Sequence, residues 1–433
     1  MDPTCPRRAG GRRRTALLAA GLTLGLVARA PGARAQDSIP AGPRSPAVLV
    51  LPIYDGAVTA NASGGLRRRT AYVGALSVTA RFDGARLAGV PGLSAFVYAL
   101  DTHGGQPSDF VGDAQGVNNL TAPPALRLEE AWLQQNLFRD HLSILAGRYD
   151  LNTEFYRVVS ATVLLNSSFG IGPEFSGSGR LGPSIYPRTA VGARLAYKPT
   201  RNSVVRAAVL DGVPIDRADG SVRLFAPGDG ALLVAEAALL SRPEVEGPRL
   251  NPRFRIGRGR PPLPYDGKLA VGVWHYTARF DDLLDTLSTG APVRHQGSTG
   301  VYAVGERTVW NAPRDSARAL TVFGQAGVGD SRENKVGRYA GGGLALTAPF
   351  AGRDADVAGF GVAAAFTGGP FRAVQRATGA PAARAEVAVE LTYLAQVTSW
   401  LVVQPDAQYV RSPGAVRGRP NATALSLRFE VAR

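Results

Sequence analysis

The residues best suited to catalysis are two pairs of neighbouring carboxylates, Glu129-Glu130 and Asp281-Asp282. Glycoside hydrolysis needs two carboxylates acting on one bond, but neighbouring residues of a strand point to opposite faces, so neither pair is predicted to converge on a substrate. The four histidines lack the spacing of metal ligands, and no G-x-S-x-G nucleophile elbow occurs. The residues therefore predict no metal site and mark no catalytic constellation. A hydrolase whose catalytic triad is assembled from several strands is the alternative.

The composition of the chain removes further classes of function. Cys5 and Met1 are the only cysteine and the only methionine, so no disulfide, thiolate metal site or cysteine nucleophile is expected after residue 35. Seven arginines and one aspartate within residues 1–35 account for +6 of the +15 net charge, which leaves +9. The other arginines are mostly dispersed, which argues against a nucleic-acid partner. Outer loops that face anionic lipid, or a water-filled lumen, explain them better.

The N-terminus has the three parts of a secretory signal. Arg7–Arg14 carries five arginines, Thr15–Ala28 is apolar, and Ala33–Ala35 offers a small-residue cleavage site before Gln36. The apolar run is too short to span a bilayer. We predict a cleavable signal peptide at residues 1–35 that sends the chain through the general export route.

Strands with a period of two are the elements that would position functional side chains. Thr70–Phe82 sets an apolar face, with an aromatic residue at each end, opposite a face of small and polar residues. The alternation recurs in Val191–Lys198, Ala270–Phe280, Ala358–Phe366, Ala385–Val397, Trp400–Val410 and Leu425–Val431. Charged and amide side chains on one face of the last strands would destabilise a core without water. In a water-filled lumen the same side chains are solvated and cost little. The pattern predicts a wall with lipid outside and water inside.

We predict an all-β fold, a transmembrane antiparallel β-barrel of about 16 strands with long outer loops and short periplasmic turns. No segment after the signal approaches the roughly 18 apolar residues of a transmembrane helix. Residues 36–65 are predicted to be a short periplasmic lead-in, because they are rich in Pro, Gly and Ser without a clear period, and residues 66–433 to form the barrel. Long loops are predicted at His103–Pro124, Ser241–Pro264, Leu283–Gln296 and Ala373–Ala383.

Three segments in the first half of the chain resemble the carbohydrate-selective (OprB-like) porins of Gram-negative outer membranes. They are Val111–Asn119 (VGDAQGVNN), Arg127–Leu133 (RLEEAWL) and Leu145–Gly170 (LAGRYDLNTEFYRVVSATVLLNSSFG). Weaker matches continue in the same order, so that the resemblance covers about residues 66 to 431. It implies a 16-stranded barrel through which glucose and related sugars diffuse passively into the periplasm, without an enzymatic step, a cofactor or an energy source.

The matching segments supply seven candidates for lining the pore or contacting the substrate: Arg148, Asp150, Asn152, Glu154, Glu129, Glu130 and Trp132. The first four all point inward if their strand is regular. Arginine and carboxylate groups can hydrogen-bond sugar hydroxyls, and aromatic faces can stack on sugar rings. A structural salt-bridge network is the alternative role for these residues.

The resemblance also implies partners and a location. Small carbohydrates, outer-membrane lipid and lipopolysaccharide, and the barrel-insertion machinery are the expected partners in the outer membrane of a Gram-negative bacterium, and homo-oligomerisation is left open. The charge of +9 leaves a preference for acidic sugars or other anions as an alternative. Barrels of this kind usually end on an aromatic residue, whereas Phe429 is followed here by Glu430-Val431-Ala432-Arg433. We therefore expect insertion either to be less efficient or to use Phe429.

Overall fold

Sixteen antiparallel strands close into a barrel in which every strand pairs with its neighbours in sequence. The computed structural model describes residues 46–214, 224–241, 266–312, 318–380 and 382–432. The barrel closes between its first and last strands, because Ala57 pairs with Val73 on one side and with Arg428 on the other. Closure leaves no sheet edge unpaired, which is the requirement for a sheet that spans lipid. The predicted all-β barrel of 16 strands is confirmed.

The strands are β1 (Val48–Ser63), β2 (Thr70–Asp83), β3 (Leu93–Gly104), β4 (Ala125–Leu137), β5 (Leu142–Tyr149), β6 (Ala190–Thr200), β7 (Ser203–Asp211), β8 (Ala231–Leu240), β9 (Gly267–Thr286), β10 (Pro292–Asn311), β11 (Ala319–Val328), β12 (Val336–Thr347), β13 (Val357–Thr367), β14 (Ala385–Gln396), β15 (Leu401–Arg411) and β16 (Ala422–Ala432). The helices are α1 (Gly84–Ala88), α2 (Ser108–Val111), α3 (Pro173–Ser176) and α4 (Gly369–Ala377). Short 3₁₀ helices occupy Leu151–Thr153, Ser160–Val163, Ser167–Phe169 and Pro413–Ala415. No helix in the described ranges is long and apolar enough to cross a bilayer.

The predicted lead-in at residues 36–65 is wrong for the part that forms β1. Val48–Ser63 alternates between an outward face and a buried inward face that includes Asp55 and Thr59. Polar inward residues, together with Pro52 on the outward face, hid this alternation in the sequence. The predicted signal peptide, residues 1–35, lies outside the described residues.

The outer and inner faces of the wall follow the predicted alternation on most strands. On β2, Tyr72, Leu76 and Val78 are exposed on the outside, whereas Ser77 and Thr79 are buried on the inside. β9 reverses the expected use of aromatic residues: its outward face carries Leu269, Val271 and Val273, and its rings point inward. These inward rings pack against a loop that occupies the barrel interior.

Both ends of the barrel chain, the start of β1 and the end of β16, lie at one end of the barrel, here called the termini end. The connections at the opposite end are L1 (64–69), L2 (105–124), L3 (150–189), L4 (212–230), L5 (287–291), L6 (329–335), L7 (368–384) and L8 (412–421). The predicted long loop at Leu283–Gln296 is wrong, because β9 and β10 continue to Thr286 and from Pro292 as a protruding hairpin. Part of the predicted loop at Ala373–Ala383 is helical, and most of Ser241–Pro264 lies outside the described residues.

Candidate pore constriction

L3 folds into the barrel and is fixed to the wall by its own backbone. The carboxylate of Glu306 on β10 accepts hydrogen bonds from the N–H groups of Val159 at 2.9 Å and Ser160 at 2.7 Å. Glu236 on β8 accepts one from the N–H of Tyr156 at 2.9 Å. Backbone N–H groups in a buried loop need such acceptors, and a carboxylate is the strongest that a side chain offers.

The second half of L3 is held in the same way on the other side of the barrel. Glu390 on β14 accepts hydrogen bonds from the N–H groups of Leu165 and Asn166. The amide of Gln404 donates to the carbonyl of Val163 at 2.6 Å. The inward carboxylates of the wall are therefore buried anchors for the loop, whereas the sequence predicted that a wet lumen would solvate them.

An aromatic cluster anchors the short helix α3 of L3. The ring of Phe175 stacks on Trp274 of β9 with 4.2 Å between the centroids and lies 6.3 Å from the ring of Tyr302. Beside it, the hydroxyl of Tyr156 donates to Glu174 at 2.8 Å, and burial raises the pKa of Glu174 to about 7. A Cβ at Gly327 of β11 would overlap the Glu174 carboxylate, so glycine at this position makes room for L3.

The four predicted site residues from Arg148 to Glu154 do not lie on one regular strand. β5 ends at Tyr149, and Asp150 then caps a 3₁₀ helix by accepting a hydrogen bond from the N–H of Asn152 at 2.8 Å. Arg148 donates to the hydroxyl of Thr189 at 2.8 Å, at the far end of L3. The expectation that all four residues point inward from a continuous strand is wrong, because the chain turns into L3 at this point.

Glu154 forms a buried ion pair, the kind of contact that the alternative interpretation predicts. Its carboxylate lies 2.7 Å from Nε of Arg194 on β6, and the two residues are 6% and 1% exposed. Arg194 also donates to Ser143 and Gln134. The network ties the start of L3 to three strands and removes both charges from water.

Glu129 and Glu130 lie on the same face of the wall, contrary to the prediction from strand alternation. A β-bulge on β4 pairs Ala99 with Leu128 and Tyr98 with Glu130, so that one extra residue stands between them. Both carboxylates consequently point inward and are 1% and 4% exposed. The indole of Trp132 donates to Glu130 at 3.1 Å and stacks on Phe96 at 5.2 Å.

L2 and L3 together enclose a cavity of about 280 Å³ inside the barrel. Eight of its lining residues are neutral and polar, Asp150 is a carboxylate, and three are apolar; the twelve residues are Asn119, Thr121, Asp150, Asn152, Thr153, Thr162, Ser167, Gly170, Ile171, Ser176, Ile185 and Tyr186. Asp150 and Asn152 are the two sequence-predicted residues in this lining. The others were missed, although five of them belong to motif segments already singled out, because strand periodicity says nothing about loop residues.

Three inward cations of the wall lie close to carboxylates, whereas the buried Arg127 of β4 donates to the hydroxyl of Thr102 and to the carbonyl of Pro123. Arg428 lies 2.6 Å from Asp55, and Arg206 and Lys268 lie 3.5 Å and 3.8 Å from Glu236. These pairs stand on strands behind the loops, whereas the cavity lining contains one carboxylate and no cation. The cavity therefore offers hydroxyl and amide groups that both donate and accept hydrogen bonds.

A closed sixteen-stranded barrel with an apolar outer face and a loop folded into its lumen defines an outer-membrane porin. The family model of the carbohydrate-selective porin, OprB family, matches residues 67–432. The chain belongs to this family and forms a channel for the diffusion of sugars across the outer membrane.

Known proteins agree with this assignment. Porin B of Pseudomonas aeruginosa is 25% identical over 335 residues, which are 70% of this chain and 68% of that protein. The high-pH structure of Pseudomonas putida OprB superimposes with a TM-score of 0.77 at 22% identity, covering 89% of this chain and 94% of that one. The outer-membrane channel DcaP of Acinetobacter baumannii has a TM-score of 0.53 at 10% identity, with 89% and 97% covered. The two structures support the fold.

Proposed function

We propose that the cavity between L2 and L3 is the constriction through which neutral monosaccharides such as glucose pass. The observation that carries this proposal is a lining with eight hydroxyl- or amide-bearing residues, one carboxylate and no cation. A sugar that sheds its water shell finds replacement hydrogen-bond partners there, and none of them is strong enough to hold it. A volume of about 280 Å³ suits one small solute at a time.

A lining with one carboxylate and no cation favours sugars over anions, the alternative that the net charge left open. An anion channel needs cations that face the solute. In this barrel Arg194 and Arg428 point inward, but each has a carboxylate within 2.7 Å. Their fields are largely cancelled before they reach the cavity. A hydrolase is disfavoured for a related reason, because Glu129 and Glu130 are buried in the wall and neither of them lines the cavity.

Among the seven predicted site residues, we keep Asp150 and Asn152 as candidates for contact with the sugar. Glu154, Glu130 and Trp132 support the loop and the wall. Tyr186, whose hydroxyl donates to the carbonyl of Leu120 at 2.7 Å, presents a ring to the cavity and joins L3 to L2. This ring is the aromatic surface that we expect to stack on the sugar.

The chain is proposed to reach the outer membrane after cleavage of a signal peptide at residues 1–35, to be inserted by the barrel-insertion machinery, and to act as a passive channel without an enzymatic step. Barrels of this class keep both termini and their short turns in the periplasm. The termini end is accordingly assigned to the periplasm and the end that carries L1 to L8 to the outside.

Liposome swelling with the purified protein tests the proposal. We expect glucose to enter faster than neutral amino acids of smaller size and faster than gluconate. Ser176→Phe should obstruct the cavity and slow glucose entry at least fivefold. Thr70→Phe, which adds the same ring to the outer face of β2, should not. Thr121→Val removes one lining hydroxyl at nearly constant volume and should reduce glucose entry about twofold.

Any of the following results would change the proposed assignment of the cavity as a sugar constriction. Faster swelling with gluconate would establish the anion channel. Equal rates for all small solutes would mean a general porin. Unchanged glucose entry in Ser176→Phe would remove the cavity from the sugar path. No swelling with any solute, in protein whose gel mobility still shifts on heating, would overturn the channel and reopen the hydrolase.

A further inference from the structure

Four loops at the outer end are joined by backbone hydrogen bonds into one continuous rim. In L1, the N–H of Gly65 donates to the carbonyl of Pro420 in L8 at 3.0 Å, and the N–H of Arg67 donates to the carbonyl of Phe110 in L2 at 3.0 Å. L7 joins L8 through the N–H of Ala383, which donates to the carbonyl of Ala415 at 2.7 Å. The side chains of this rim are therefore carried by a fixed backbone.

Arginine is the most frequent charged residue among the exposed side chains of this rim. The basic rim, as we name it, consists of Arg67, Arg68 and Arg69 on L1, Arg411 at the end of β15, and Arg417 on L8. All five are exposed, and within the described part of the chain none of them forms an ion pair. Asp109 is the exposed carboxylate that L1, L2, L7 and L8 contribute there. Such clustered, unneutralised guanidinium groups repel one another unless an anion lies among them.

Tyrosines on the outer wall place the basic rim at a particular depth in the membrane. Tyr409 and Arg411 share the outward face of β15, two residues apart, and Tyr72 is exposed on β2 just after Arg69. Aromatic residues on the outer face of a barrel mark the boundary between acyl chains and headgroups. Arginines one step beyond these tyrosines lie at the level of the headgroup phosphates.

We propose that the basic rim binds the phosphate groups of lipopolysaccharide, the phosphorylated glycolipid of the outer leaflet. A guanidinium binds phosphate through two parallel N–H···O bonds, and an ordered set of five selects a headgroup that carries more than one phosphate. The assignment rests on the proposed orientation of the barrel, in which L1 to L8 face outward. It is independent of which solute passes through the cavity.

The protruding hairpin of β9 and β10 provides a built-in comparison. Its exposed arginines have partners: Arg294 lies 3.0 Å from Asp281, and Arg279 donates to Gln296 at 3.1 Å. These guanidinium groups are already occupied. We therefore expect glycolipid to bind to the sector from L7 through L8 to L2 and not to the hairpin.

Titration of the folded, detergent-solubilised protein with bisphosphorylated lipid A tests the basic rim. Arg68→Gln with Arg411→Gln should weaken binding at least tenfold, and Arg279→Gln with Arg294→Gln should change it less than twofold. Lipid A without phosphates should bind the unmodified protein at least tenfold more weakly. The heat-dependent gel shift establishes that each variant is folded, and unchanged glucose swelling separates this site from the pore.

Several outcomes would overturn the proposal. Equal loss of affinity in both double variants would mean that overall charge, and not the basic rim, attracts the lipid. Equal binding of vesicles of phosphatidylglycerol would remove the glycolipid specificity. Displacement of lipid A by millimolar inorganic phosphate would identify a site for free anions. Undiminished binding in Arg68→Gln with Arg411→Gln would place the lipid elsewhere.

Discussion

Replacing one wall carboxylate should loosen L3 by an amount that the structure allows us to work out. Glu306 accepts two backbone hydrogen bonds from L3, at 2.9 and 2.7 Å, and is 4% exposed. A hydrogen bond to a charged group contributes about 1.5–3 kcal/mol. Glu306→Gln keeps one carbonyl acceptor but turns an NH₂ donor towards the second N–H. One charged bond is lost and one amide is left unpaired, which we expect to cost about 2–3 kcal/mol.

That free energy should appear as local opening of the loop and not as unfolding of the barrel. At tenfold per 1.4 kcal/mol, the population in which residues 156–166 are detached should rise about 30- to 150-fold. Hydrogen exchange of the amides of Val159 and Ser160 reports this population directly when closing is faster than exchange. Liposomes with the variant should also admit disaccharides faster, because L3 no longer fixes the width of the constriction.

The control for this prediction is Asp281→Asn, which makes the same chemical change at an exposed site on the β9–β10 hairpin. It should leave exchange in L3 within twofold of the unmodified protein. If Glu306→Gln is folded and its exchange at Val159 and Ser160 rises less than threefold, the inward carboxylates do not anchor the loop. Their burial would then need another explanation.

Three further predictions concern the packing of L3 against the wall. Gly327→Ala should displace α3 and speed disaccharide entry at least twofold in swelling assays, whereas Gly324→Ala, whose Cβ would meet no atom within 4 Å, should have no effect. Arg194→Ala leaves Glu154 buried without its partner and should reduce the free energy of unfolding by about 3–5 kcal/mol. The loss should appear as a lower temperature of the gel-mobility shift. The double variant Arg194→Met with Glu154→Gln should recover part of it. Burial raises the pKa of Glu174 from 4.5 to about 7, so the neutral form stabilises the docked α3 fully below about pH 4.5 and this contribution is lost as the pH rises through 7. Proteolysis in L3 should accelerate between pH 5 and 8, and Glu174→Gln should abolish that dependence.

The sequence predicts the wall well because one physical requirement repeats along every strand. Each outward residue meets lipid and each inward residue does not, so a period of two appears wherever a strand crosses. β2 and β14 show it clearly, with Leu76 and Leu391 outward and Ser77 and Glu390 inward. β1 was missed because Pro52 and Asp55 are not residues typical of a strand. The alternation of outward and inward side chains nevertheless continues through both positions.

The candidate site is less predictable, because it depends on departures from regular strands. The β-bulge at Glu129-Glu130 depends on backbone pairing with β3, which two neighbouring glutamates do not reveal. The end of β5 at Tyr149 has a local signal, an aspartate at position 150 that caps the following turn. Reading Asp150 as a cap would have moved Asn152 and Glu154 from a strand to a loop.

The positions of the charges explain why the positive net charge of this protein does not set the selectivity of its pore. Carboxylates on the inner wall hold backbone N–H groups of L3 or pair with arginines, so that the wall behind the loop is polar but nearly neutral. The five arginines of the basic rim, which form no ion pair within the described part of the chain, stand beyond the tyrosines that mark the membrane boundary. A solute in the cavity meets mainly hydroxyl and amide groups contributed by L2 and L3, with one carboxylate and no cation. Because an excess of arginine sits where lipid headgroups lie, a strongly basic chain can still be built around a pore for uncharged sugars.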